Sequence, residues 1–191
     1  MTKIIWLVLG WILYFTTHSL LADGGIKQKM KEVMRDRFKY YRLIYVVISS
    51  LGLLILFIFN ASIDAPGFFD STGWVRYLSL MFAAFGVIIL KIAFRSYQFS
   101  SFVGMTPELP QPLITTGLLG SVRHPIYSGT ILIAIGFWLF SPNWPTTISV
   151  GCIFVYLPIG IYLEEKKLIA EYGEQYLAYK KEVPAIFPRL L

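Results

Sequence analysis

Apolar residues gather into five long runs, Ile4–Ala22, Leu43–Ala61, Trp74–Ile92, Tyr127–Ser141 and Thr146–Leu163, with the charged residues crowded between them. A helix crossing a hydrocarbon core of about 30 Å needs about 20 mostly apolar residues, so each run predicts a spanning helix. The fourth is short, and its helix would rise only about 22 Å. It is expected either to extend into the Gly117–His124 segment or to tilt little and begin within the headgroup region. Ser141-Pro142-Asn143 is a turn signal, which makes helices four and five a tight antiparallel hairpin. The pattern predicts an all-α, polytopic membrane protein with about five transmembrane helices.

After the fifth run the period changes. Ile169, Tyr172, Tyr176, Tyr179 and Val183 step by three and four residues, which puts one apolar-aromatic stripe on a C-terminal amphipathic helix. Glu171, Glu174, Lys180 and Lys181 fall on its other faces. Val183-Pro184 ends that helix, and Phe187-Pro188 continues as an extended strap. A helix of this kind lies on the membrane surface or folds back as a lid. No internal repeat or low-complexity segment divides the 191 residues, which read as a single membrane domain.

Composition narrows the class. A hydrophobic content of 56% and a mean hydropathy of +0.63 exceed what a soluble domain can cover with polar surface. The net charge of +6 lies mostly beside the apolar runs, where anionic lipid headgroups, not nucleic acid, are the natural partner. Lone Cys152 excludes an intrachain disulfide and a cysteine-based metal cluster, and no metal site is expected. Lys3, the first apolar run and Ala22 could be read as a signal peptide. The length of the run and the basic loop after it argue instead that it is kept as the first helix.

The basic residues also orient the chain. Seven lie in the first loop (Lys27 to Arg42); Lys91, Arg95 and Arg123 follow helix three; Lys166, Lys167, Lys180, Lys181 and Arg189 are in the tail. The opposite side holds Lys3 and Arg76, so the division is 15 against 2. The bias of basic residues toward the inside then puts the N-terminus outside and the C-terminus in the cytoplasm.

Three places could carry chemistry. Arg123-His124-Pro125-Ile126-Tyr127-Ser128-Gly129 puts a proline in the first turn of a helix and leaves Arg123 and His124 just outside it. That is a fit site for an anion, or for an arginine gripping lipid phosphate with His124 capping the helix. Glu164-Glu165 stands at the end of helix five, where the helix dipole disfavours acids. Ligand hydroxyl or ammonium groups would account for the pair, and so would Lys166, Lys167 or Arg123. His18, near the end of helix one, is an intramembrane ionisable group, or a neutral histidine hydrogen-bonded to a neighbouring helix. Arg42, among Tyr40, Tyr41 and Tyr45, has the character of an interfacial anchor, and Lys91 and Arg95 can snorkel. Glycine-rich phosphate loops and His-Glu-x-x-His are absent from the sequence.

Taken in order, Leu113-Ile114-Thr115-Thr116-Gly117, Arg123-His124-Pro125-x-Tyr127-x-Gly129, Glu164-Glu165, Tyr172-Gly173-x-x-Tyr176-x-x-Tyr179 and Val183-Pro184-x-x-x-Pro188 resemble the isoprenylcysteine carboxyl methyltransferase superfamily. That group includes phospholipid N-methyltransferases and methanethiol S-methyltransferases. His18-Ser19-Leu20-Leu21-Ala22 and Tyr41-Arg42-Leu43-x-Tyr45 are more similar to its bacterial NnrU-like and methanethiol-methyltransferase branches, which implies a bacterial inner membrane.

The resemblance implies S-adenosylmethionine as methyl donor, held in a cytosolic region at 111–191, with 1–110 as a three-helix scaffold. By position, Leu113 and Ile114 would pack near the cofactor, and His124, Pro125, Ile126 and Tyr127 would wrap it. Glu164 and Glu165 would bind its polar atoms, and Arg123, His124 and Glu165 are the candidates for catalysis. Two positions depart from the pattern. Leu119 stands where an aromatic residue is common, and Gly160 where prenylcysteine enzymes carry a substrate-binding arginine. With no catalytic base evident, the expected substrate is small and hydrophobic or lipid-like, and either nucleophilic when neutral or easily deprotonated (an amine or thiol). A non-enzymatic accessory protein and a sterol-reductase-like NADPH enzyme are the competing readings. Nothing in the sequence specifies an oligomer.

Overall fold

The computed structural model describes residues 2–96 and 112–189, and the 110/111 boundary lies outside them. Seven α-helices are present among the described residues: α1 (Thr2–Ala22), α2 (Gly24–Met34), α3 (Tyr41–Ala61), α4 (Gly73–Ser96), α5 (Pro125–Phe140), α6 (Trp144–Tyr172) and α7 (Glu174–Glu182). Two 3-10 turns, Arg35–Tyr40 and Gly117–Gly120, complete the regular structure. Four segments, containing α1, α3, α4 and α6, are long and apolar enough to cross a membrane, and α5 is a shorter apolar helix. Their outward faces are bare hydrocarbon, with Leu13 68% and Val155 70% exposed. Lipid tails accept such a surface and water does not. The protein is an all-α polytopic membrane protein.

Two packing solutions build the bundle. In the first, α1, α3 and α6 surround a core of Leu7, Trp11 and Leu56, with Phe15, Phe57 and Ile153 packed against it. In the second, α4 and α5 meet backbone to backbone across small residues. A Cβ on Gly86 would stand 2.6 Å from the Gly129 carbonyl oxygen, and one on Gly136 would stand 2.7 Å from that of Ser79. Small residues let membrane helices approach this closely, and van der Waals contact then replaces the missing hydrophobic drive. The turn between α5 and α6 is present, with Asn143 capping α6 by accepting the Thr146 N–H at 3.0 Å. The most extensive packing of α5, however, is against α4 rather than against its hairpin partner.

Three local expectations are corrected. The basic first loop is helical: the Asp23 carboxylate caps α2 by accepting from Gly25 N at 2.8 Å and Ile26 N at 3.1 Å, which satisfies donors that a helix start leaves open. The fourth spanning helix does not extend into Gly117–His124. It starts at Pro125, and the residues before it form a 3-10 turn. Finally, the aromatic stripe of the tail belongs to two helices. α6 runs unbroken through Glu164 and Glu165 to Tyr172, and the chain turns at Gly173, whose φ of +55° suits glycine. At 29 residues α6 is about 43 Å long, so it outruns the bilayer core and carries its last turns clear of the apolar run that ends at Leu163. Beyond Gly173, α7 folds back toward the 117–124 segment. This is the lid geometry, one of the two expected.

Candidate functional site

Pro125 fixes the first turn of α5, so residues 123 and 124 stay outside the helix, with their N–H groups free to bond elsewhere. The strap after α7 takes them. Arg123 N donates to the Pro184 carbonyl and His124 N to that of Ala185, both at 2.9 Å. Ser128 Oγ donates to the Ile186 carbonyl at 2.7 Å. The chain's end is thus stitched over the start of α5.

Side chains then close the same corner around Glu165. Arg123 donates to its Oε1 through Nε at 3.1 Å and Nη2 at 2.7 Å. Lys180, from α7, donates to its Oε2 at 2.5 Å. His124 Nε2 lies 3.2 Å from Oε1, so a proton on that nitrogen is donated to the carboxylate. The remaining donor of Arg123, Nη1, reaches the carbonyls of Lys180 and Val183 at the end of α7. Side-chain exposure is 8% for Arg123 and 9% for Glu165, so the arginine is turned into the protein, away from lipid phosphate. His124 is buried, but its side chain does not cap α5; it faces the two glutamates. Burial pushes the Glu165 carboxyl up, but hydrogen bonds from Lys180, Arg123 and His124, with the Arg123 charge, outweigh it and hold the group at about 2.

Glu164 is the contrasting neighbour. Its Oε2 lies 3.5 Å from His124 Nδ1, yet 43% of its side chain is exposed, so it keeps an open carboxylate beside the clamp. Tyr127 packs edge-on against His124 at 5.6 Å between centroids. It leans over Gly160, where a Cβ would stand 2.9 Å from the Tyr127 hydroxyl and 3.3 Å from Tyr156 Cε1. Tyr179 donates to the Leu119 carbonyl at 2.5 Å, tying α7 to the 117–120 turn. Tyr176 is only 1% exposed, and among the described residues its hydroxyl has no hydrogen bond of good geometry, with Glu165 and Arg123 as its charged neighbours.

Of the residues singled out in the sequence, Arg123, His124, Tyr127, Glu164 and Glu165 therefore meet in one cluster. Pro125 anchors it from below, Ile126 is half-buried one residue on, and Leu113 and Ile114 are half-buried in the extended segment leading to the turn. His18 stands apart, on α1, bonded to α3. Lys166 is exposed, and Lys167 donates to the Ala22 carbonyl at 2.6 Å rather than to Glu165. Lys180 and the buried Tyr176 hydroxyl were missed as members of the cluster. The spacing of α7 marked Tyr176 as apolar anchor and Lys180 as solvent face, and only the turn at Gly173 brings them onto Glu165.

The chain is similar in sequence to known proteins. A family model described as NnrU protein matches residues 6–187. The chain is 31% identical to the methanethiol S-methyltransferase of Crocosphaera subtropica, over 90% of this chain and 69% of that protein. It is 30% identical to the methanethiol S-methyltransferase of a Pseudomonas species, strain GM41(2012), over 93% of this chain and 70% of that protein. The protein-S-isoprenylcysteine O-methyltransferase of Schizosaccharomyces pombe is 30% identical over 48% of this chain and 39% of its own. No solved structure matches. Since the family match takes in all the apolar helices together with the clamp and its strap, the chain belongs to the NnrU protein family.

Proposed function

We propose that the chain is an S-adenosylmethionine-dependent membrane methyltransferase that acts on a small hydrophobic thiol reaching it from the bilayer. The observation that carries this reading is the corner where the start of α5, the far end of α6 and α7 converge on Glu164 and Glu165. The methyltransferase names of the relatives agree with it. The residues fit the donor. Glu164 keeps an exposed carboxylate for hydroxyl or ammonium groups. Among the described residues the buried Tyr176 hydroxyl has no hydrogen bond of good geometry, and a buried polar group without one is costly.

Bound there, S-adenosylmethionine would supply an electrophilic methyl group on a sulfonium sulfur. The protein's part is to orient and to exclude water, which can account for much of the rate of an in-line transfer. Glu165 does this indirectly. By holding Arg123, His124 and Lys180 it fixes α7 and the strap as a cover. Leu113, Ile114, Ile126 and Tyr127 offer apolar walls, and Glu164 the polar grip. Gly160 bears on the acceptor: the space beside it is filled by Tyr127, which favours an uncharged acceptor over a carboxylate needing an arginine. The 15-to-2 division of basic residues supports a cytoplasmic position for this corner, with the N-terminus outside, as in a bacterial inner membrane.

The test is calorimetric titration of the detergent-purified protein with S-adenosylhomocysteine. Saturable binding is expected, weakened about tenfold or more by Glu164→Ala, the loss of a hydrogen bond to a charged group. Absence of binding by the folded wild-type protein would overturn the reading.

A further inference from the structure

Along α6, Tyr156, Gly160 and Glu164 recur every four residues and so share one face. Glu164 belongs to the corner just described. Tyr156 lies two turns deeper, about 12 Å along the helix axis, where α6 meets α1 and α3. Its hydroxyl is 2.8 Å from Ser19 Oγ, and its ring stacks on Phe15 with centroids 4.0 Å apart. Beside Ser19 on α1 is His18. Its Nδ1 lies 3.1 Å from Ser49 Oγ, and Tyr45 OH lies 3.1 Å from Nε2 and 3.2 Å from Nδ1. Tyr14 stacks on the same imidazole at 5.8 Å. Bare Gly160 leaves room for the Tyr127 hydroxyl to approach Tyr156. Polar and aromatic groups therefore continue from Glu164 through Tyr127 and Tyr156 to His18 without leaving the bundle. All of them are half-buried rather than sealed.

We infer that this intramembrane cluster is the methyl-acceptor site, with His18 as the proton acceptor and Tyr45, Tyr127 and Tyr156 as its walls. The inference rests on the methyltransferase reading and supplies the base that reading lacks. The chemistry of the lining selects the acceptor. The groups facing His18 are Tyr14 on its own helix and Tyr45 and Ser49 on α3, all uncharged, with Tyr156 of α6 acting on Tyr45 and Lys167 of α6 acting on His18 as a positive charge. An amine would arrive as an ammonium ion and be repelled by Lys167. A thiol arrives neutral and, on giving up its proton, becomes an anion that Lys167 favours. In the transfer, a ring nitrogen of His18 takes the S–H proton. The acceptor sulfur uses the freed pair to bond the methyl carbon, and the old carbon–sulfonium bond breaks, leaving its pair on the donor sulfur. The products are a methyl thioether, S-adenosylhomocysteine and a protonated His18, which returns its proton to water.

The experiment uses the full chain in detergent, with wild type, His18→Gln, Ser49→Ala and Tyr156→Ala. Titration with S-adenosylhomocysteine comes first. Variants that bind it like wild type are folded at the donor corner, and failure of wild type to bind overturns the methyltransferase reading itself. Methyl transfer to propanethiol is then followed across the titration range of imidazole and thiol. His18→Gln should slow it about 100-fold at neutral pH, and the deficit should shrink as the free thiol ionises in alkali. Ser49→Ala, which keeps the imidazole, should cost only several-fold. Independently of turnover, methyl propyl sulfide should bind wild type and bind Tyr156→Ala at least fivefold more weakly. A His18→Gln rate and pH profile equal to wild type, or thioether binding untouched by Tyr156→Ala, would overturn the acceptor site while leaving the methyltransferase reading intact.

Discussion

The three helices α1, α3 and α6 carry two polar clusters, one toward each end, and the two are built to opposite rules. Toward the start of α6, Trp11 Nε1 donates to Ser149 Oγ at 2.9 Å. Ser149 donates to Asn60 Oδ1 at 2.9 Å, and Asn60 Nδ2 to Thr146 Oγ1 at 3.4 Å. Every member is buried, and none titrates near neutral pH. Toward the other end His18 is linked to Tyr45 and Ser49, each at 3.1 Å, and Tyr156 to Ser19 at 2.8 Å; these residues stay half-buried and include an ionisable ring. A closed, satisfied network fixes helices against one another in a medium without water. An open, titratable one leaves bonding capacity for a guest. Position along the same helix faces, not residue hydrophobicity, separates the sealed network from the open one.

The sharpest way to break the comparison is to uncover the inner end alone. Glu165→Leu removes the shared acceptor of Arg123, His124 and Lys180 and leaves the Arg123 guanidinium, 8% exposed, buried without it. The expected loss in docking of α7 is on the order of 3 kcal/mol. It should be seen as tryptic cleavage at Lys180 and Lys181 that wild type resists, with the outer network unaffected.

Next comes a crossed pair. Asn60→Ala should cost about 2 kcal/mol of stability while leaving the rate per folded molecule unchanged. His18→Gln should do the reverse, cutting transfer while the thermal midpoint stays within about 3 °C of wild type. Denaturation and turnover on both variants read the cross directly, and a parallel loss in both would dissolve the distinction. A smaller effect is expected for Gly160→Ala. The added methyl meets the far end of the Tyr127 side chain at 2.9 Å, so the ring shifts at a cost of about 1 kcal/mol. Acceptor KM should rise more than stability falls.

The smallest effect at working pH comes from acid. Glu165 is held at about 2, below its ordinary carboxyl value of 4.5. Its contribution is therefore complete above about pH 4.5 and is lost as pH falls from there toward 2. Pepsin cleavage within α7 should rise over that window and not above it.

Much of this layout was legible in the sequence, because lipid imposes long apolar runs and a helical period survives any packing. The runs gave the spans, and the two ends of the resemblance gave Arg123, His124, Tyr127 and Glu164–Glu165. What the sequence hid depended on tertiary geometry. The α4–α5 contact arises where Gly86, Gly129 and Gly136 face backbone, and glycines in an apolar run carry no label of their partner. Lys180 joined the cluster only because the chain folds back at Gly173. Tyr45 stood in the sequence only as a flank of the interfacial anchor Arg42, and the fold puts its hydroxyl on His18. Asp23 as a cap for α2 was within reach, since Asp-Gly-Gly before a polar helix is a start signal.

The most direct test of the central claim is methyl transfer itself. The purified protein in lipid nanodiscs is given S-adenosylmethionine with a deuterated methyl group and propanethiol, and the volatile products are identified by mass spectrometry. The account predicts methyl propyl sulfide carrying the deuterated methyl, formed by wild type and at about one-hundredth of that rate by His18→Gln. Protein that binds the donor but leaves propanethiol unmethylated would contradict it.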